Sequence, residues 1–521
     1  MKGVYNMKIQ NIMRTMAVSC LAVMSMSSCS DWLQVDMEDE IMEDKLFEDN
    51  SGFVSSLNGV YAKMNENYSS TLSMGVIDVM AQYYDVRQNS NHTFYNYANY
   101  NFNAINFENT SGDLWTTQYA LIANLNLLLE HCDMPDATIK PNYYPMVKGE
   151  ALALRAMLHF DLLRIYGPVY SADTENETTI PYEETTSKAI QPLLPAKEVM
   201  AKVLRDLNDA AELLKDDRIR TEGVMNSDSE DPNESSDMRY RQYRLNYYAV
   251  QALLARAYLW TGNKTKAYEI ATSLISENKE KEVFPWTPKA NVQSPEKPDR
   301  IFSTEVMFSL YNTSRITLFD NYFKRSAKIS NSLTFKGESL NDMNGKIPHF
   351  YSDELDLRRG DNMWSLETLE ETSDVGASST KKAICFSKYA DVPENSIRYM
   401  IPLIRMSEIY LIAAECAPTT TEAIGYINEL RSNRNCIDLE EDNVGDDIQQ
   451  YITNEFAREM IGEGQLYFYY KRLNMDEVLS GTTFEEDWWT GEFEVTEPMD
   501  TQDYVWPLPK VEIDKRVTTE N

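Results

Sequence analysis

The chain is poor in the residues most reaction centres need. Histidine occurs four times, at His92, His131, His159 and His349. No HExxH, GxSxG, phosphate loop or dinucleotide fingerprint is present, which argues against the common hydrolase, phosphoryl-transfer and dinucleotide-dependent classes. Cysteine is sparse, and Cys132, Cys385, Cys416 and Cys436 have no CxxC spacing, so neither a disulfide framework nor a zinc site is expected. Beyond the first 28 residues no apolar run reaches the roughly 20 residues a membrane-spanning helix needs. Basic residues are outnumbered, 49 Lys and Arg against 82 Asp and Glu, a formal charge of −33 over 521 residues. Such a surface repels nucleic acid and anionic polymers and suits neutral ligands.

The N-terminus carries the clearest signal. Lys2, Lys8 and Arg14 form a basic start, Met16 to Met26 an apolar run, and Met26-Ser27-Ser28 leads directly into Cys29. This is the anatomy of a secretory signal with a cysteine at the lipoprotein cleavage point. The expectation is a signal peptide over 1–28 and a lipid-bearing Cys29, anchored to a membrane without crossing it. Loss of the three cations takes the mature chain from −33 to −36. An acidic tether over 29–45 follows.

Helical periodicity dominates the rest. Leu114, Leu121, Ile122, Leu125, Leu128 and Leu129 fall on one helix face. Ala151, Leu154, Leu158, Leu162 and Ile165 form a second stripe, and Val199, Val203, Leu207, Ala210 and Leu214 a third. Leu254, Ala255, Tyr258, Gly262 and Ala267 stand at tetratricopeptide offsets. A looser copy follows Ile412-Ala413, and Gly149 to Ile165 resembles a third first-helix. Loop-rich segments lie between: Tyr83 to Phe107, acidic Asn226 to Asp237, and Phe284 to Phe350 with strand-like Ile301-Phe302 and Val306 to Phe308. Asp228, Glu230 and Asp231 are spaced loosely like a calcium loop, but no glycine follows at the sharp turn, so a solvated loop is expected and no cofactor.

Taken in order, many short motifs resemble the SusD/RagB family of outer-membrane nutrient-binding lipoproteins. They begin with Cys29-Ser30-Asp31-Trp32-Leu33, Glu43 to Phe47 and Leu57 to Tyr61. Trp115 to Asn124, Glu150 to Ala156, Phe160 to Gly167 and Asp206 to Ala210 follow. Then come Asp356 to Arg359, Lys388-Tyr389, Ile404 to Leu411, Ala414-Glu415 and Asn428 with Arg431. Glu455 with Glu459, Glu463-Gly464, Lys471-Arg472 and Trp506 to Pro509 close the series. Two features depart from the pattern: the ending Val517 to Asn521, and Phe468-Tyr469-Tyr470 where a Phe-Asp pair is common.

The resemblance implies a mainly α fold: a tetratricopeptide-like right-handed helical superhelix of about four helix pairs, with a loop-rich subdomain containing short β-strands. Residues 46–237 would hold the first helix pairs and 238–521 the rest of the same compact unit. It implies a lipoprotein on the outer membrane, facing outward, that lids a SusC-like TonB-dependent transporter and delivers a glycan to it. The alternative is a lid that binds peptide or serves assembly alone. Tyr95, Tyr97 and Tyr100, with Asn96, Asn99 and His92 among them, offer flat rings and amides for a sugar; Trp286, Tyr311, Tyr322 and Trp364 are further candidates. Glu408, Glu415, Glu455, Glu459 and Glu463 are expected to pair with Arg405, Arg431 or Arg458 and not to act as acid and base. His159 is expected to pack.

Overall fold

A computed structural model describes residues 45–519 apart from 232–234, 325–327, 343–344, 373–377, 394, 446, 483–484, 488–491 and 495. The signal, Cys29 and nearly all of the tether lie outside the described residues.

Eight helices stack as four pairs in chain order. They are α1 (Asn50–Tyr68) with α2 (Ile105–Cys132), α3 (Tyr144–Tyr166) with α4 (Ala196–Leu213), α5 (Tyr247–Trp260) with α6 (Lys264–Lys281), and, beyond the strands below, α7 (Met406–Cys416) with α8 (Thr420–Asn433). Each pair packs on the next, α2 on α3, α4 on α5 and α6 on α7, which builds the superhelix. The packing runs across residue 237 without interruption, since α1 also contacts the first strand.

Local chemistry sets the ends. Asp49 caps α1 by accepting from Ser51 N and Gly52 N. Asn246 and Asn263 cap α5 and α6 in the same way, and Gly262 turns the chain between them at φ +76°. Helix α3 is buried almost all round, as a central helix must be. Gly149 lets α4 approach it, because a Cβ there would stand 2.8 Å from Leu214 Cγ.

Strand β1 (Val306–Tyr311) opens the smaller subdomain. A hairpin follows, β2 (Trp364–Thr372) with β3 (Ser378–Phe386), paired from Trp364↔Phe386 to Thr372↔Ser378. Thr334–Phe335 adds a short strand on the other edge of β3. Strand β4 (Met400–Arg405) pairs antiparallel with β1 and runs straight into α7 (Met406–Cys416), so Ile404 to Leu411 is a strand-to-helix junction. Helices α8 (Thr420–Asn433), α9 (Ile448–Met460), α10 (Leu466–Leu473) and α11 (Lys510–Thr519) complete the chain. Ile301-Phe302 is not a strand: Phe302 takes a left-handed φ of +54° and leads into a 3₁₀ turn. No helix among the described residues is long and apolar enough to cross a membrane.

Under β4 lies a buried charge network. Glu459 on α9 receives Arg405 at 2.5 Å, Arg434 at 2.6 Å and Arg358 at 2.9 Å. Arg434 also holds Glu305 at 2.6 Å, and Arg405 holds Glu463 at 2.7 Å, which Lys388 shares. Glu455 takes Arg358 at 2.6 Å, Arg431 at 3.2 Å and Arg458 at 3.5 Å. Glu408 and Glu415 pair elsewhere than expected, with Arg256 and Arg472, each at 2.6 Å. His159 packs, stacked on Tyr182 at 3.8 Å.

Burial alone would raise the Glu459 carboxyl, yet Arg434 and Arg405 hold it well below the usual range. A depressed carboxyl contributes stability that is present above its unfolded pKa of about 4.3 and is lost as pH falls further. Acid titration of folding should therefore show stability dropping below about pH 4.3. Arg434→Met leaves Glu459 and Glu305 short of a partner. It should cost about 3–5 kcal/mol in urea unfolding; a loss under about 1 kcal/mol would contradict the network's role.

Candidate ligand-binding surface

The expected loop turns most of its rings inward. Tyr95–Ala98 is a single helical turn. Tyr97 is buried and its hydroxyl donates to Asn106 O at 3.0 Å. Tyr100, at φ +52°, is also buried; its hydroxyl donates to Met80 O at 2.8 Å and accepts from Gln82 Nε2 at 2.7 Å. His92 is buried against Ser332 O, and burial pulls it down to about 4. Trp364 is 1 % exposed, among Phe335, Phe386 and Tyr351, with Nε1 donating to Arg358 O. Tyr97, Tyr100 and Trp364 are thus buried, each with its polar atom donating to a backbone carbonyl. Trp286 is half-buried against Tyr410 at 4.9 Å and below the Arg434 guanidinium at 5.4 Å.

Tyr95 and Asn96 stay half-buried at the surface of that loop, and Asn96 Nδ2 donates to Asn106 Oδ1 at 2.9 Å. Half-buried Tyr322 reaches the same region through Phe94, 5.6 Å away. A cleft of about 610 Å³ opens at the loop's far end, walled by Phe102, Asn103, Pro168, Val169, Val505 and Pro507.

Tyr311 stands apart at 51 % exposed. Five buried residues precede it in β1, and the strand's last side chain emerges. The β1–β4 register sets Tyr311 opposite Met400, which brings Tyr399 to 5.3 Å at 68°. On its other side Tyr243 lies 5.6 Å away at 77°. Both contacts are edge-to-face, the favoured geometry for rings. Sequence reasoning missed Tyr243 and Tyr399; the one signal for Tyr243 was the tyrosine density of Tyr240 to Tyr248 beside the acidic loop.

The three rings are firmly seated. Gln242 Nε2 donates to Val306 O at 2.8 Å, and Ser309 Oγ donates to Gln242 O at 2.9 Å, so the turn bearing Tyr243 is stitched to β1. Asn312 Nδ2 donates to Ser69 Oγ at 2.6 Å, and Asn65 Nδ2 to Tyr311 O at 3.1 Å, tying the strand to the end of α1. Buried Arg315 donates to Ile397 O and Met400 O, both at 2.9 Å, and so fixes the segment bearing Tyr399. Burial pulls Arg315 down to about 10. Arg398 stacks on Tyr399 at 5.4 Å and grips Asp391 at 2.7 and 2.8 Å. Burial, with Tyr311 adjacent, pushes the Tyr243 hydroxyl up to about 12, so all the hydroxyl's chemistry at neutral pH is that of a neutral donor and acceptor.

Among the described residues no group of three or more His, Cys, Asp or Glu side chains is arranged to hold a metal ion. Asp228 accepts from the Tyr240 hydroxyl at 2.9 Å.

The SusD/RagB family model, described as the SusD family, matches residues 221–519. The chain belongs to the SusD family. A second family model, described as starch-binding associating with outer membrane, matches residues 31–225. Among curated proteins the chain is similar to SusD-like protein P38 of Formosa agariphila, 29 % identical over 164 residues. That match covers 32 % of this chain and 26 % of the relative, about a quarter of its length. Solved structures share the fold. A SusD superfamily protein from Bacteroides thetaiotaomicron superposes with TM-score 0.64 at 20 % identity, over 89 % of this chain and 98 % of that one. A protein described as a SusD-like carbohydrate binding protein from Bacteroides vulgatus gives 0.61 at 19 %, over 89 % and 96 %.

Within this SusD-family chain, core and surface tyrosines should separate by stability. Tyr97→Ala should cost about 3–5 kcal/mol in chemical unfolding, and Tyr311→Ala should stay within about 0.5 kcal/mol. Equal losses would contradict the assignment.

Proposed function

We propose that this chain is an outer-membrane surface lipoprotein that binds a glycan at the Tyr243–Tyr311–Tyr399 platform and delivers it to a SusC-like, TonB-dependent transporter. The observation that carries the reading is the platform: three adjoining rings, one more than half exposed, held in place by β1, β4 and α1. A sugar offers C–H faces and a rim of hydroxyls. Rings complement the faces, and the Asn65 amide and the Arg398–Asp391 pair beside them suit the hydroxyls. Tyr95, Asn96 and Tyr322 offer a second set of half-buried groups for a longer chain of sugars. The net charge of −33 favours a neutral polymer.

Family membership supports the transporter partner, and the likeness to a carbohydrate binding protein from Bacteroides vulgatus supports carbohydrate as the ligand. The leader ending at Ser28, directly before Cys29, supports a lipid anchor, and the acidic stretch after it supports outward exposure. The reading is one of binding and not of acid–base catalysis, supported by the helix-borne carboxylates Glu408, Glu415, Glu455, Glu459 and Glu463 being taken up by guanidinium groups.

The test is affinity electrophoresis against neutral polysaccharides, host glycans and a peptide digest, followed by calorimetry. One polysaccharide class should be retained. Tyr311→Ala should weaken that binding about tenfold, ~1.4 kcal/mol, and Tyr311→Ala with Tyr399→Ala should abolish it. Retention of peptides with silence on every glycan would overturn the reading.

A further inference from the structure

Inside the superhelix, away from the tyrosine platform, a cavity of about 40 Å³ lies where α3, α5, α7, α9 and α10 meet. That exceeds the roughly 10–15 Å³ one water requires. Its lining is charged: Arg164, Arg256 and Arg472, with Glu408 and Glu415.

Its hydrogen bonding is lopsided. Trp260 Nε1 and Arg164 Nε, both on residues under 5 % exposed, have no partner. Each is an N–H that can only donate. The acceptors around them are already engaged. Both Glu408 oxygens take Arg256 at 2.7 and 2.6 Å, and both Glu415 oxygens take Arg472 at 2.6 Å. Gln465 Oε1 takes Arg164 Nη1 at 3.0 Å. A water that satisfied the two donors would have to share an already engaged acceptor for each of its own two hydrogens. A monatomic anion brings acceptor capacity alone.

The lining is otherwise balanced in charge: Asp161 pairs with Arg164, Glu408 with Arg256 and Glu415 with Arg472.

We infer that this cavity binds a halide ion, chloride in the protein's native surroundings, through Trp260 Nε1–H and Arg164 Nε–H. The ion accepts from both donors and so ties α3 to α5. It stabilises the scaffold and leaves the ligand platform untouched.

The test uses the protein exchanged into sodium gluconate and titrated with sodium bromide at constant ionic strength. Tm should rise and saturate with bromide, and Trp260→Phe, which keeps the ring but removes the donor, should lose the saturable rise. Crystals grown in bromide, measured above the bromine absorption edge, should give an anomalous peak in contact with Trp260 Nε1 and Arg164 Nε. Water density there with no anomalous signal would overturn the inference, as would a rise in Tm that Trp260→Phe retains. Should Trp260→Phe fail to fold, the anomalous map of the unaltered protein decides alone.

Discussion

The carboxylate of Glu459 is the constraint on which the rest of the fold depends. It is fully buried and receives three guanidinium groups, from the end of α8, from the β4–α7 junction and from the turn at 356–359. Through Arg434 it reaches Glu305, the residue that precedes β1. Desolvating so many ions costs several kcal/mol each, and the arrangement is favourable only with every partner in place. That makes it close to all-or-none. It couples the helical superhelix to the strands of the smaller subdomain, and those strands set where Tyr311 and Tyr399 emerge.

This coupling accounts for a ligand surface made of loops yet held stiffly. The turn carrying Tyr243, the end of β1 and the start of β4 each hang on buried anchors: Gln242, Asn312 and Arg315. A surface already ordered before binding loses less conformational entropy when ligand arrives. Placing recognition on loops over a rigid scaffold is the usual division of labour in proteins.

The helical half was legible because its physics is periodic. Leu114, Leu121, Ile122, Leu125 and Leu128 read as one face, and all are buried in α2. Gly262 marked the turn between α5 and α6 because a left-handed residue is needed there. The tyrosine-rich loop has no such period. Whether Tyr97 and Tyr100 face in or out depends on a single left-handed residue and on hydrogen bonds to Asn106 and Met80, none of which spacing encodes. Tyr399 escaped notice for a related reason. It meets Tyr311 only through β-pairing between segments distant in sequence, and that register is set by tertiary packing. Of the ion pairs, those of Glu455, Glu459 and Glu463 followed the motif's own arginines, whereas Glu408 and Glu415 found theirs on other helices.

The most direct test is a crystal structure of the protein soaked with the oligosaccharide that the binding screen selects. The account predicts a sugar ring lying on Tyr311 or Tyr399, with a hydroxyl within hydrogen-bond reach of Asn65 or of the Arg398–Asp391 pair. Sugar density held elsewhere on the molecule, with the three tyrosines bare, would contradict it.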